Sequence, residues 1–189
     1  MSKPDESIDS TNHSRRKLLK CSASLAVVSS FPQIIQASSG LTSQRSLEFL
    51  NLHTDESLGC CYWANGIYVP HSLSEINHIL RDHRANEIYA MDPTLLDLLY
   101  VLREATGSQS PYHVISAYRS PQTNEKLRNR GNGVARRSLH MQGKAIDIRL
   151  PDIELSQLRD TAMALNAGGV GYYQQSNFLH IDIGQPRSW

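Results

Sequence analysis

His140, Asp147 and His180 are side chains of the types that bind a divalent cation, and the pattern around them can bring all three together. In Lys144-Ala-Ile-Asp147-Ile-Arg149, a period of two puts Ile146 and Ile148 on one face and Asp147 on the other. In Phe178-Leu-His180-Ile-Asp182-Ile183, Leu179, Ile181 and Ile183 face one way while His180 and Asp182 face the opposite way. If the two strands pair antiparallel, Asp147 and His180 stand side by side on one face. His140 lies seven residues before Asp147, and the Met141-Gln142-Gly143 bend lets its imidazole fold back toward the strand. Two imidazoles and one carboxylate can hold zinc and leave its fourth position to water, as in a catalytic site and not a closed structural one. Taken singly, each residue has a plainer explanation, since a lone His at a strand edge is more often a hydrogen-bonded surface residue than a ligand. The signal is the combination Ser138-x-His140-x(6)-Asp147 followed by His180-Ile-Asp182. His53, His71, His78 and His83 fall outside it and read as structural. His113 is set apart from these, because its strand leads directly into Ser116-Ala-Tyr118-Arg119-Ser120.

For these groups to meet, the chain must build neighbouring strands and hold them against a core. Ser46 to Leu52 reads as an opening strand, and Tyr62 to Val69 as a second with Asn65-Gly66 turning inside it. Ser72-Leu-Ser-Glu75 has a capping-box pattern, and Leu73, Ile76, Leu80 and His83 fall on one helical stripe. Asp92-Pro93 supplies an N-cap and a first-turn proline for the next helix. Leu95, Leu98, Leu99 and Leu102 form its buried face, and Gly107 ends it. Tyr112 to Ala117 alternates as a strand, and Ser120-Pro121 starts a short helix that reaches Arg130. Gly131-Asn132-Gly133 then opens a basic loop carrying Arg136 and Arg137. Lys144 to Leu150 is a strand, and Leu155, Leu158, Ala162 and Leu165 mark a last helix ended by Gly168-Gly169. Strands over 170–173 and 178–183 close the chain. Helices early and strands late indicate the α+β class, as one compact domain with an antiparallel sheet and flanking helices.

A length of 189 residues suits one folded domain, and the 19 Lys+Arg against 18 Asp+Glu leave no basic footprint for nucleic acid. No apolar run reaches the roughly 18 residues of a membrane span. Three cysteines without a CxxC spacing exclude a disulfide framework or a Cys-rich zinc site. Ser14-Arg15-Arg16-Lys17-Leu18-Leu19 followed by a modest apolar stretch reads as a twin-arginine export signal. The alternative, an amphipathic helix of the domain, is opposed by Pro32 and the many serines. Cleavage is expected near Ala37, which makes residues 1–37 the signal and 38–189 the mature domain. Cys21 follows Lys20, a poor context for lipid attachment, so no stable membrane anchor is expected. Removing residues 1–37 leaves 14 basic and 15 acidic residues, a net charge of −1. Export implies an oxidising compartment, the periplasm. Cys60 and Cys61 read as two small apolar side chains, with a strained vicinal disulfide as the lesser alternative.

Ser116-Ala-Tyr118-Arg119-Ser120, Thr123-Asn124, Ser138-Leu-His140-Met-Gln-Gly143-Lys-Ala145-Ile-Asp147 and Gly169-Val-Gly171-Tyr-Tyr resemble the zinc D-Ala-D-Ala peptidase-like (M15-type) peptidoglycan peptidases. Within that family the resemblance is to the YcbK-type murein endopeptidases. It extends over nearly the whole chain, including Arg15-Arg16, Asn51-Leu-His53-Thr54, Arg81-Asp-His-Arg-Ala85-Asn86 and His180-Ile-Asp182. The resemblance implies a fold of the D-Ala-D-Ala peptidase and hedgehog type. It implies Zn2+ held by His140, Asp147 and His180, and peptidoglycan stem-peptide cross-links as substrate, with a lean toward 3–3 (diaminopimelate to diaminopimelate) links. A monomer is expected. Many relatives carry a Glu general base three residues before the last metal His, and here that residue is Asn177, which cannot take up a proton. Asp182 is the first candidate to replace it, and equally a candidate to orient an imidazole; His113 is the reserve. Arg119 can steady a developing oxyanion, hold a substrate carboxylate, or form a structural ion pair. Tyr118 and Ser138 stand with it as substrate-binding candidates. Two other functions stay open: a wall-binding protein that kept the metal site and lost its base, and a D,D-carboxypeptidase or dipeptidase.

Overall fold

A computed structural model describes residues 44–131 and 133–189; the expected export signal, its cleavage near Ala37 and Cys21 lie outside the described residues. β1 (Gln44–Asn51) and β2 (Ser57–Ala64) pair antiparallel, and β2 turns at Asn65-Gly66 into β3 (Ile67–Tyr68). Both turn residues have positive φ, 51° and 87°, which suits the Asn-Gly preference of tight hairpins. The second strand thus begins earlier than Tyr62, and the turn falls where the sequence put it.

α1 (Pro70–Ile79) starts on Pro70, whose fixed φ suits the first helical turn. The capping box expected at Ser72 does not form: Ser72 already lies inside the helix and is buried, and Val69 at the cap makes no side-chain bond. The helix also stops before His83. α2 (Pro93–Thr106) follows the expectation closely. Asp92 accepts from the Thr94 amide at 3.0 Å, Leu95, Leu96, Leu99 and Leu102 are buried, and Gly107 closes the helix in the left-handed conformation. β4 (Tyr112–Ser116) leads to α3 (Pro121–Asn129), capped by Ser120 Oγ accepting from the Thr123 amide at 3.2 Å.

β5 (Ala145–Arg149), α4 (Leu155–Leu165), β6 (Gly169–Tyr173), β7 (Phe178–Asp182) and β8 (Arg187–Ser188) complete the chain. α4 ends on Asn166 with φ 49° instead of on Gly168-Gly169. Gly168 has a different duty, because a Cβ there would collide with the Asp182 carbonyl of β7.

Among the described residues the eight strands form one sheet in the order β3-β2-β1-β4-β5-β7-β6-β8. β1/β4 and β6/β8 pair parallel and the others antiparallel, so the α+β class holds with a mixed sheet in place of a wholly antiparallel one. Phe49, Tyr112, Val114, Ile146, Ile148, Leu179 and Ile181 turn to one face and are buried with the leucines of α2 and with Leu158 of α4. Fully burying one such side chain contributes roughly 1.5–3 kcal/mol. A one-residue slip of β5 would exchange Ile146 and Ile148 for Asp147 in that core, so the core holds the register that presents Asp147 on the opposite face.

Candidate metal centre

Antiparallel pairing of β5 and β7 sets Asp147 directly across from His180, and Ser116 of β4 lies across from Asp147 on the other side. The 3-10 turn Leu139–Gln142 is capped by Ser138, whose Oγ accepts from the His140 amide at 3.4 Å. Gly143 ends that turn with φ 66°, and the strand begins two residues later. His140 is thereby folded back over β5, as the bend predicted.

His140 Nε2 lies 3.1 Å from His180 Nδ1 and 3.2 Å from Asp147 Oδ1, and His180 Nδ1 lies 2.9 Å from the same oxygen. Donors about 2.0–2.1 Å from a tetrahedral zinc sit roughly 3.3 Å apart. The three atoms therefore span one face of such a site without rearrangement. The remaining ring nitrogens fix which lone pairs are free. His140 Nδ1–H donates to the Ala117 carbonyl at 2.7 Å, and His180 Nε2–H donates to Asp182 Oδ2 at 3.0 Å. In the neutral imidazoles each bond leaves the nitrogen that faces the other two side chains with its lone pair available, the arrangement found behind metal-bound imidazoles. Among the described residues this is the one cluster of three such ligands.

Charges around the site are balanced in pairs. Burial opposes the charge on Asp147, but His140 and His180 outweigh it and hold the carboxyl well below the usual range. Burial likewise lowers the basicity of His180, while Asp147 and Asp182 overcome it and raise the imidazole to about 8. Asp182 is fully buried, and His180, Arg187 and the Gly184 and Gly169 amides keep it ionised against that burial. Its Oδ1 accepts from the Gly169 and Gly184 amides and Arg187, at 3.1, 2.8 and 3.1 Å, and its Oδ2 accepts from Arg187 at 2.6 Å as well as from His180.

His140, Asp147 and His180 open into a cleft of about 390 Å³ whose walls include Arg119, Arg137, Ser138, Tyr173, Phe178 and Trp189. Arg119 is buried at its edge with loose contacts: 3.4 Å to Asn124 and to Ser116, and 3.6 Å to Asp147. Its Nε has no partner among the described residues. A guanidinium so placed keeps donors for an incoming oxygen.

Ser138 and Asp182 thus join the cleft with His140, Asp147, His180 and Arg119. Tyr118 does not: it is buried and stacked on Tyr89 at 4.8 Å between ring centres. His113 also lies apart, in a separate hollow that it shares with Asn177. Tyr173, Phe178, Arg187 and Trp189 are cleft residues that the sequence reading missed. Phe178 carried a signal, being two residues from His180 on a strand, and Tyr173 pairs with it, the rings 4.6 Å apart. Trp189 had none. It reaches the site through β8, donates from Nε1 to the Tyr173 hydroxyl at 3.0 Å, and lies close enough to Gly171 that a Cβ there would touch its ring. Cys60 and Cys61 are free thiols, and burial raises the Cys60 thiol to about 11.

An α+β domain whose open sheet face converges His, Asp and His donors behind a buried arginine defines a protein of the M15 peptidase type. The chain belongs, more narrowly, to the family described as Peptidoglycan L,D-endopeptidase MepK, which it matches over residues 39–189. It is 41% identical over 182 residues to the Peptidoglycan L,D-endopeptidase MepK of Escherichia coli strain K12, covering 96% of this chain and 100% of that protein. It is 34% identical over 179 residues to the Probable peptidoglycan L,D-endopeptidase MepK of Haemophilus influenzae, covering 94% of this chain and 96% of the relative. No solved structure matches the chain significantly.

Proposed function

We propose that this protein is a zinc-dependent peptidoglycan endopeptidase that hydrolyses amide bonds in the peptide cross-links of murein, 3–3 links by preference, in the periplasm after twin-arginine export. The observation that carries the reading is the convergence of His140 Nε2, Asp147 Oδ1 and His180 Nδ1 within 3.2 Å of one another, in a chain 41% identical to a named peptidoglycan endopeptidase. No helix among the described residues is long and apolar enough to cross a membrane. The protein works as a monomer on stem peptides.

His140, Asp147 and His180 hold the zinc, which when bound supplies Lewis acidity and lowers the pKa of a bound water toward neutrality. Arg119 donates to the oxygen of the scissile carbonyl as negative charge develops there, or to a neighbouring substrate carboxylate, and its loose contacts let it do either. Ser138 holds the turn that carries His140, so its part in substrate binding is through the wall of the cleft. Asp182 is a positioning residue. Its oxygens are taken up by Arg187, two backbone amides and His180, which favours orientation of the imidazole over proton uptake. His113, in its separate hollow, is assigned to substrate binding instead of acid–base chemistry.

Cross-linked muropeptide dimers incubated with the zinc-loaded protein should yield monomers, and a chelator should stop the reaction. Asn177 favours a second reading, a wall-binding protein without hydrolysis. Intact dimers together with retained binding to sacculi would decide for that alternative. Mass spectrometry of the products distinguishes endopeptidase from carboxypeptidase or dipeptidase cleavage.

A further inference from the structure

A second hollow of about 360 Å³ lies at the end of β5 and the start of α4, and His113 and Arg149 in its wall stand on the strand face of Asp147. Its walls include His113, Arg149, Glu154, Leu155 and Asn177. Arg149 is two residues beyond Asp147 on β5, so its side chain leaves the same face about 7 Å along the strand. That is close to the spacing of successive groups on an extended peptide. Among the described residues the guanidinium has no hydrogen-bond or ion-pair partner, in contrast to Arg45, Arg81, Arg103 and Arg187, each of which holds a carboxylate.

Donors gather around it. His113 is the residue paired with Arg149 across β4 and β5, and its Nδ1 is buried with no partner. Leu155 is the first residue of α4, a helix whose cap, Glu154, makes no side-chain bond to the first-turn amides. The guanidinium, the imidazole and the positive end of the helix favour an anion, and a guanidinium recognises a carboxylate with two parallel bonds. At the rim the exposed Glu154 carboxylate offers the opposite charge. A set of donors for a carboxylate and one acceptor for an ammonium group within a single hollow suit a zwitterionic amino-acid head.

We propose that this hollow is a specificity subsite for the free amino-acid end of a diaminopimelate side chain, with Arg149 and His113 on its carboxylate and Glu154 on its ammonium group. The inference rests on the endopeptidase reading above and deepens it, because it says which end of the cross-linked substrate lies beside the metal centre.

Steady-state cleavage by the zinc-loaded protein tests it with a muropeptide dimer bearing the free head and the same dimer with that carboxylate amidated. Arg149→Ala should raise KM for the free substrate at least about tenfold, with a much smaller change in kcat and unaltered zinc content. On the amidated dimer, wild type and variant should have the same KM. Glu154→Gln should weaken the substrate with a free amine and leave its N-acetylated form unaffected. An Arg149→Ala enzyme with the wild-type KM on the free dimer, or one impaired equally on both dimers, overturns the subsite. If the wild type cuts neither dimer, the endopeptidase reading fails by itself. Calorimetric binding of the stem tripeptide ending in diaminopimelate then decides the subsite: about tenfold weaker binding to Arg149→Ala supports it, and equal binding refutes it.

Discussion

Replacing Asp182 by Asn should weaken zinc binding while leaving most of the fold in place. The carboxylate accepts on both oxygens, from the Gly169 and Gly184 amides and Arg187 on one side and from Arg187 and His180 on the other. An amide has only one accepting oxygen. If the Asn NH2 takes the Oδ2 position it faces the Arg187 guanidinium and the His180 Nε2–H, donor against donor. If it is flipped, it faces two backbone amides. His180 escapes the first clash by accepting at Nε2, which moves its proton to Nδ1, the nitrogen that lies 2.9 Å from Asp147 and should hold the metal. Loss of such a supporting bond costs about 10–100-fold in metal affinity. Arg187 is partly exposed and can turn to water, so the stability loss should stay on the order of 1.5–3 kcal/mol, the scale of a hydrogen bond to a charged group. Competition with a chromogenic chelator measures the zinc Kd directly, and cleavage is then assayed at saturating zinc. Weaker binding by one to two decades, with much of the cleavage restored when zinc is saturating, is the expected result. Unchanged zinc affinity with cleavage abolished would refute the positioning role and make Asp182 the base.

His140→Ala should reduce bound zinc from one per chain to a small fraction by elemental analysis, and abolish dimer cleavage. Arg119→Lys should retain zinc yet lower kcat about 10²–10³-fold, because a point charge does not replace the forked donors at the carbonyl oxygen. Burial, aided by Arg84 and His53, lowers His83 to about 4 from an ordinary value near 6.5. The unfolded chain therefore binds the extra proton in that window, and stability should fall as pH drops from 6.5 to 4. Urea midpoints at several pH values, compared with His83→Asn, should show the acid-side loss shrinking in the variant. Gly168→Ala drives a Cβ into the Asp182 backbone and should cost about 1–3 kcal/mol or more by urea denaturation.

The grouping of His140, Asp147 and His180 was legible because each rests on a local pattern. Period-two alternation placed Asp147 and His180 opposite their core neighbours, and the Gly143 bend brought His140 back; antiparallel pairing of β5 and β7 supplied the rest. Helix ends were legible where the cap was local, as at Asp92 and Ser120. At Ser72 a good capping pattern lost to Pro70, which starts the helix earlier and leaves Ser72 inside it. α4 ended early because Asn166 takes up the left-handed conformation itself. The parallel pairing of β1 with β4 joins segments far apart in the chain, and no local pattern records it. β8 has two residues and no periodicity, so the approach of Arg187 and Trp189 to the site could not be read. Asn177 acquires a conformational reason: it ends a 3-10 turn with φ 53°, a backbone that Asn tolerates far better than Glu does.

X-ray absorption of the zinc-loaded protein tests the metal centre most directly. One zinc per chain, surrounded only by nitrogen and oxygen at about 2.0–2.1 Å with the scattering signature of two imidazoles, is the predicted spectrum. Sulfur at about 2.3 Å, which would move the ion to Cys60 and Cys61, or an unchanged spectrum in His180→Ala, would contradict it.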